Sequence, residues 1–480
     1  MQSKVAYASG NQGVVRAGWR SSEAIALIIL SVPLLVALAA LVYRSTLLIP
    51  INYNEGWNAY HAVAAATGGR LYYPAAALVT NNYPPLSFLI VGAVANVIGD
   101  AVFAGRLVVW IGFLATAWFI NAILRQLGND AIASAFGAML FTAYSVVHFT
   151  VYVGVYDPQW LAHAVMLAGL WLYFRKPDAP ASSVMAGVVM GLALFIKHNI
   201  IALPAVFVLW LFFYDRRASF RFGAAGLVTG ALGLALCFAY FGPDFFTGLL
   251  APRIYSLVDG YRYGLTSLEP MEIPLFVFAL GAIILRDRYT KLFLLLVCVA
   301  LPIGLIERTG QGVAINSVFE VVIAVSLGVG HLMGHAQIRG LRLWVIGACA
   351  IALMVDIGIN ADRNIYLIRP WIADLHVKEA QAREQIALLM EHPGPAICET
   401  PVLCYWAHKP FEVDPFNFIQ GLHAGIKDDK ALRQRVASGY YGVVQIIPGF
   451  GENSLAGILR DSLANYPPPK RFAERAVYVK

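Results

Sequence analysis

The chain has 480 residues, 59% of them hydrophobic and 13% charged, with a net charge of +7 and a mean hydropathy of +0.66. Soluble domains carry about 25% charged residues, so a chain this apolar needs lipid as its solvent over much of its length. The positive charge does not point to nucleic acid, because Lys and Arg form short clusters between apolar runs, the pattern that orients a membrane protein.

The first twenty residues are polar, and the apolar run 24–42 that follows has no small-residue cleavage site before the polar 52–58 stretch. It reads as a signal anchor, not a cleaved signal. Runs able to cross a hydrocarbon core of about 30 Å lie at 24–48, 101–124, 131–151, 158–174, 182–198, 200–214, 222–242, 272–285, 290–306, 313–333 and 342–359, about eleven spans in all. Arg16 and Arg20 precede the first. Arg125 follows the second, Arg175 and Lys176 the fourth, and Arg216, Arg217 and Arg221 the sixth. Arg286, Arg288 and Lys291 follow the eighth, and Arg339 and Arg342 the tenth. If the spans alternate, all fall on one side, which the positive-inside rule makes the cytoplasm.

The opposite side receives the long 49–100 loop, the short 152–157 loop, 243–271, 307–312 and the tail from residue 360. Within the first outer loop, 56–69 mixes apolar and polar residues at helical spacing and suits an interfacial helix. The apolar stretch 86–98 is short for a span, and counting it as one inverts every later loop. It is therefore expected to be interfacial or re-entrant.

The chain divides into a membrane part, 1–359, and a tail of soluble composition, 360–480. In the tail, helices are expected at 377–391, 427–438 and 453–465, and strands at 396–399, 442–447 and 471–479, making a small α/β domain. Gly449 and Gly451 are a turn signal and no phosphate loop surrounds them. Cys398 and Cys404 are open between a disulfide and two buried thiols. Cys237, Cys298 and Cys349 lie in apolar runs and read as packing residues.

Candidate chemistry gathers in the outer loops. Residues 52–60 read Asn-Tyr-Asn-Glu-Gly-Trp-Asn-Ala-Tyr. Glu55 beside Gly56 sets a carboxylate at the membrane surface, where it is a candidate base for an acceptor hydroxyl or, more plainly, a helix cap. Asp157 is the one acid of the 152–157 loop. It can share acid/base or metal duties with Glu55, or cap the helix that starts at Pro158. Lys197, followed by His198 and Asn199, ends the fifth span and needs a counter-charge unless it snorkels. A lipid phosphate, Glu55 or Asp157 would supply one. Arg253, Arg262 and Glu307-Arg308 lie in outer loops, followed by Gln311, Asn316 and Glu320. Arg forks onto two phosphate oxygens, although each Arg alone also has structural uses. The chain has no HExxH, GxSxG or Walker motif, and its histidines lack zinc-ligand spacing.

The series Asn54-Glu-Gly-Trp57, Gly69-Arg-Leu-Tyr72, Asn82-Tyr-Pro-Pro-Leu86 and Ala104-Gly-Arg-Leu107 resembles the opening third of GT-C glycosyltransferases of the protein O-mannosyltransferase and aminoarabinose transferase group (glycosyltransferase family 39 and relatives). The likeness continues through Asp157, Lys197 and 310–320, and in the tail extends only to the general plan. It implies a GT-C-like α-helical polytopic fold of about eleven transmembrane helices with a small extracytoplasmic α/β domain at the C-terminus. It also implies inverting transfer of a sugar from a polyprenyl-phosphate donor to an extracytoplasmic lipid, glycan or protein. The expected setting is a bacterial inner membrane, with the N-terminus cytoplasmic and the tail periplasmic.

The family's first-loop acid falls on Glu55. Many members carry Asp-Glu where this chain has Asn54-Glu55, so a base at position 54 would be lost. Asp157 corresponds to the acid of the second outer loop, and Lys197 with Arg253, Arg262 or Arg308 would hold the donor phosphate. Asn54, Trp57, Tyr60, His61, Tyr83, His198, Asn316 and Glu320 would bind substrate. No cofactor is implied with certainty, and a divalent cation is left open. Two rivals are a transporter or flippase, which predicts internal repeats that this sequence lacks, and an inactive relative, for which Asn54 speaks.

Overall fold

The computed structural model describes residues 12–335, 341–359, 365, 367–448 and 454–480. Gly449, Gly451, Arg339 and residue 360 fall outside them. The first helices are α1 (Gln12–Ser45), α2 (Tyr53–Thr67), α3 (Leu86–Ile98), α4 (Ala101–Gln126), α5 (Ala131–His148), α6 (Gln159–Arg175), α7 (Pro180–Leu194) and α8 (Ala202–Tyr214). They are followed by α9 (Arg216–Phe241), α10 (Asp244–Leu249), α11 (Leu257–Thr266), α12 (Glu272–Ile284), α13 (Arg288–Arg308), α14 (Phe319–His335) and α15 (Leu341–Ile359). Each expected span holds a helix. Among the described residues, 7 candidate spans are long and apolar enough to cross a bilayer, and α3, α7, α8 and part of α15 are shorter apolar helices. The protein is a polytopic helical membrane protein.

Acids fix where helices begin. Asp130, Asp215 and Asp287 cap α5, α9 and α13, accepting from backbone N–H groups of the first turn. The Asp130 cap doubles as an ion-pair partner: Arg342 of α15 reaches it at 2.7 Å and Glu23 of α1 at 3.2 Å. Burial separates the helices by role. In the span that ends with α14, 83% of the apolar window is buried, against 11% for α9, so α14 is the centre of the bundle and α9 offers its side chains to lipid.

Two outer segments carry helices. The 243–271 segment contains α10 and α11, the latter started by Ser256, whose hydroxyl accepts from Asp259 N at 3.2 Å. Exposed Leu257, Val258 and Tyr261 suit α11 to an interface. The 86–98 stretch is α3, 13 residues long, and packs on α2 and α4.

The tail comprises α16 (Ile368–Glu391), β1 (Ala396–Cys398), α17 (Pro401–Trp406), α18 (Pro415–His423), α19 (Lys430–Ser438), β2 (Val443–Ile446), α20 (Leu455–Leu463), β3 (Lys470–Phe472) and β4 (Arg475–Val479). The sheet runs β1-β2-β4-β3, with β1 parallel to β2 and the other pairs antiparallel. Central β2 is buried along its whole length. The single strand expected at 471–479 is instead a hairpin, turned at Ala473, whose φ of 36° lies in the left-handed region that tight hairpins require. A disulfide joins Cys398 to Cys404.

Tail and membrane part meet backbone to backbone. A Cβ on Gly56 of α2 would stand 2.1 Å from Val402 N of α17, so no side chain fits there and α2 lies directly against the tail.

Candidate functional site

The first turn of α2 begins at Asn52, whose side chain accepts from Asn54 N at 2.9 Å. This cap aims Asn54 and Glu55 in different directions. Glu55 points inward and is wholly buried. Its carboxylate takes Arg106 Nε at 2.7 Å and Nη2 at 2.9 Å, and accepts Ile51 N at 3.1 Å and Tyr156 N at 3.3 Å. Arg106, on α4, spends its remaining donors on the carbonyls of Ser45, Leu47 and Ile49. A buried charge in lipid surroundings demands this kind of full pairing. With both oxygens engaged and no surface exposed, Glu55 has no route to an acceptor. The role of base expected for it does not stand on this geometry; Glu55 fixes the first loop to α4.

Asn54 points the other way, onto a cavity of about 240 Å³ between α2, the end of α13, the 249–255 segment and the start of α18. Its amide donates to Asp157 Oδ2 at 3.0 Å. Asp157, only 1% exposed, lies behind the cavity wall. Its Oδ1 caps α6 at Gln159 N at 3.0 Å and receives Lys197 Nζ at 3.0 Å. Asp157 thus both accepts from the first turn of α6 and supplies the counter-charge that Lys197 needs. Lys197 completes the set with a bond to the Tyr83 hydroxyl at 2.9 Å, its ammonium 4.2 Å from the centre of that ring. The Asp157 carboxylate and the Tyr83 oxygen both favour its charged form. It stays a cation at the cavity.

Of the other residues expected to bind substrate or phosphate, Trp57, Tyr83, His198, Arg253 and Asn316 line the cavity. Arg253 lines it without a hydrogen bond or ion pair to any described residue. Tyr60, His61, Arg262, Arg308 and Glu320 are not on the wall. The Tyr60 hydroxyl donates to Lys409 O at 2.8 Å while its ring stacks on Phe411. His61 is buried, its Nδ1 2.8 Å from Trp57 O. Arg262 is exposed on α11, and Arg308 is turned onto Val313 O. Glu320 accepts Ala202 N and Leu203 N at the start of α8. These five serve packing, capping or solvent contact.

Several wall residues were not anticipated as site residues. Tyr53, Tyr152 and Asn199 belong to the wall, as do Phe416 and Asn417 from the tail. The tail is tied in through Asp414, which is fully buried. It accepts from the Tyr53 hydroxyl at 2.8 Å, Trp57 Nε1 at 2.9 Å and Asn417 Nδ2 at 2.7 Å. Burial raises the Asp414 carboxyl above its ordinary range, against the opposing pull of these hydrogen bonds. Glu307, at the end of α13, also lines the cavity, and its Oε2 accepts from Asn199 Nδ2 at 3.1 Å. Among the described residues no group of three or more His, Cys, Asp or Glu side chains could hold a metal ion.

The sequence matches no protein-family model and no curated protein. Solved structures do match in shape. The crystal structure of ArnT from Cupriavidus metallidurans bound to undecaprenyl phosphate aligns with a TM-score of 0.63 at 15% identity, covering 96% of this chain and 98% of that one. The apo state of the same protein aligns with a TM-score of 0.63 at 14% identity, over 97% and 98%. The apo oligosaccharyltransferase of Archaeoglobus fulgidus aligns with a TM-score of 0.52 at 10% identity, over 92% of this chain and 73% of that one. The chain therefore shares its fold with these proteins over nearly its whole length.

Proposed function

We propose that this protein transfers a sugar from a polyprenyl-phosphate carrier to an acceptor on the side of the membrane that holds the tail. The observation that carries the reading is the pair of cations at one cavity. Lys197 is fixed and kept charged by Asp157, and Arg253 has no partner among the described residues. A guanidinium without a protein partner beside an ammonium suits a phosphate, which accepts from both. The fold likeness to ArnT, crystallised with undecaprenyl phosphate, supports the same ligand class. The positive clusters between spans favour a cytoplasmic N-terminus and an extracytoplasmic tail, and the Cys398–Cys404 disulfide suits an oxidising compartment.

In this reading Lys197 and Arg253 bind the donor phosphate, and Asp157 positions Lys197 and Asn54. The inactive-relative reading retains one specific observation, Asn54 on the wall where relatives carry an acid.

The test is thermal melting of the full chain in detergent with undecaprenyl phosphate. The lipid should raise the melting temperature, and Arg253→Ala should lose most of that rise. Because Arg253 has no structural partner, the lipid-free melting temperature should not move. No shift in the native chain would remove the carrier reading. Sugar release from undecaprenyl-phosphate sugars separates a transferase from an inactive relative.

A further inference from the structure

Four acids lie at or next to the cavity, and three are already committed. Asp414, which is not on the wall, accepts from Tyr53, Trp57 and Asn417. Glu55 is enclosed by Arg106 and two backbone N–H groups. Asp157 is enclosed by Lys197, Asn54 and Gln159 N. Neither lines the cavity, and among its lining residues Glu307 is the one carboxylate. Its Oε2 is oriented by Asn199, while its Oε1 has no hydrogen-bond partner among the described residues.

The backbone holds this acid beside the phosphate cations. Gln311 N donates to Ile254 O at 2.8 Å and Ser256 N to Thr309 O at 2.7 Å, and Tyr255 bridges Gly310. This short pairing lays the segment that carries Arg253 alongside the turn that follows Glu307. Asn199, which orients Glu307, stands two residues beyond Lys197. Cation and carboxylate thus share one wall without joining in an ion pair. A wall that joined them would leave neither free for substrate.

We infer that Glu307 is the general base of the site, taking over the proton-accepting duty for which position 54, an Asn here, has no group. The inference rests on the transferase reading above. The acceptor oxygen attacks the anomeric carbon of the sugar. The bond from that carbon to the phosphate oxygen breaks, its electron pair leaving with polyprenyl phosphate. The acceptor's proton passes to Glu307 Oε1 and from there to water. Attack opposite the leaving phosphate inverts the anomeric centre.

The test uses the full-length chain in detergent with two probes. Undecaprenyl phosphate reports binding. A panel of undecaprenyl-phosphate-linked glucose, mannose, arabinose and aminoarabinose, with membrane-lipid extract as acceptor, reports turnover as undecaprenyl phosphate released. Glu307→Gln should bind undecaprenyl phosphate at least as tightly as the native chain, because a negative charge near the phosphate is gone. It should lose about 10²–10⁴-fold in kcat, the usual contribution of a general base, with donor KM little changed, and its rate should lose the acid limb of the pH profile. Glu307→Asp should keep that limb at a reduced rate. A Glu307→Gln protein that turns over at the native rate, or that loses donor KM and not kcat, overturns the assignment while leaving the transferase reading intact. A native chain that binds no undecaprenyl phosphate overturns the transferase reading itself. One that binds the lipid but releases it from no donor overturns both transfer and base.

Discussion

The seam beneath α2 and the cavity above it use the same residue types to opposite ends. In the seam, Glu55 and Arg106 are both buried, and each hydrogen-bonding edge is taken up by the partner or by backbone. On the cavity wall, Arg253 has no partner among the described residues and Glu307 has one oxygen open. The contrast teaches where to look for chemistry in a membrane protein. A charge satisfied on all sides is structural however close to the site it lies, and a charge held by its neighbours on one side only is available to a ligand.

The seam is the place to break the protein. Arg106→Ala leaves Glu55 buried without its cation, at a cost of about 3–5 kcal/mol. We expect low yield and a large drop in melting temperature in detergent, and an Arg106→Ala protein that melts like the native chain would dissolve the distinction between seam and wall.

Acid should weaken the same region. Burial, opposed by a bond to Trp57 O, lowers buried His61 from 6.5 to about 4, so the folded state binds fewer protons than the unfolded one between those values. Stability should hold above pH 6.5 and fall as pH drops towards 4, by on the order of 3 kcal/mol for this group alone. Melting curves across that range should flatten in His61→Phe.

Next comes the tie between the two parts. Asp414→Ala takes the acceptor from the Tyr53 hydroxyl and leaves Trp57 Nε1 with Thr80 O alone at 3.3 Å, at about 2–3 kcal/mol, read as a lower melting temperature with faster proteolysis at the start of α18. Smallest of all, Glu307→Gln should move the lipid-free melting temperature by less than about 1 kcal/mol equivalent, since it alters one partly open hydrogen bond. A large loss there would mean Glu307 belongs with the seam.

Much of this was legible beforehand. Apolar run lengths and the sided clusters of Arg and Lys gave the helices, and the soluble composition past residue 360 gave the tail. Lys197 at the end of an apolar run announced its need for a counter-charge, which Asp157 meets. Adjacent residues on a helix point about 100° apart, so Asn54 and Glu55 cannot face the same place, and the local pattern does not say which of them faces the cavity. The signal that places Glu55 is Arg106, a cation in the second turn of apolar α4, which requires a buried acid and nominates Glu55 as that acid. Short α17 and α18 escaped notice because Pro401 and Pro415 read as turns when they are the first residues of helices. Phe416 and Asn417 reach the cavity, with Asp414 behind them, only through long-range folding that no local pattern encodes.

Gly56 carries one more consequence. Since α2 touches α17 at its bare backbone, the tail is not an attachment that can be cut away to expose the membrane portion. Proteolytic removal past α16 would take Asp414 from Tyr53 and Trp57 and leave a groove along α2 where Val402 lay. What remained would have lost one wall of its own cavity, and the released tail would carry the complementary scar.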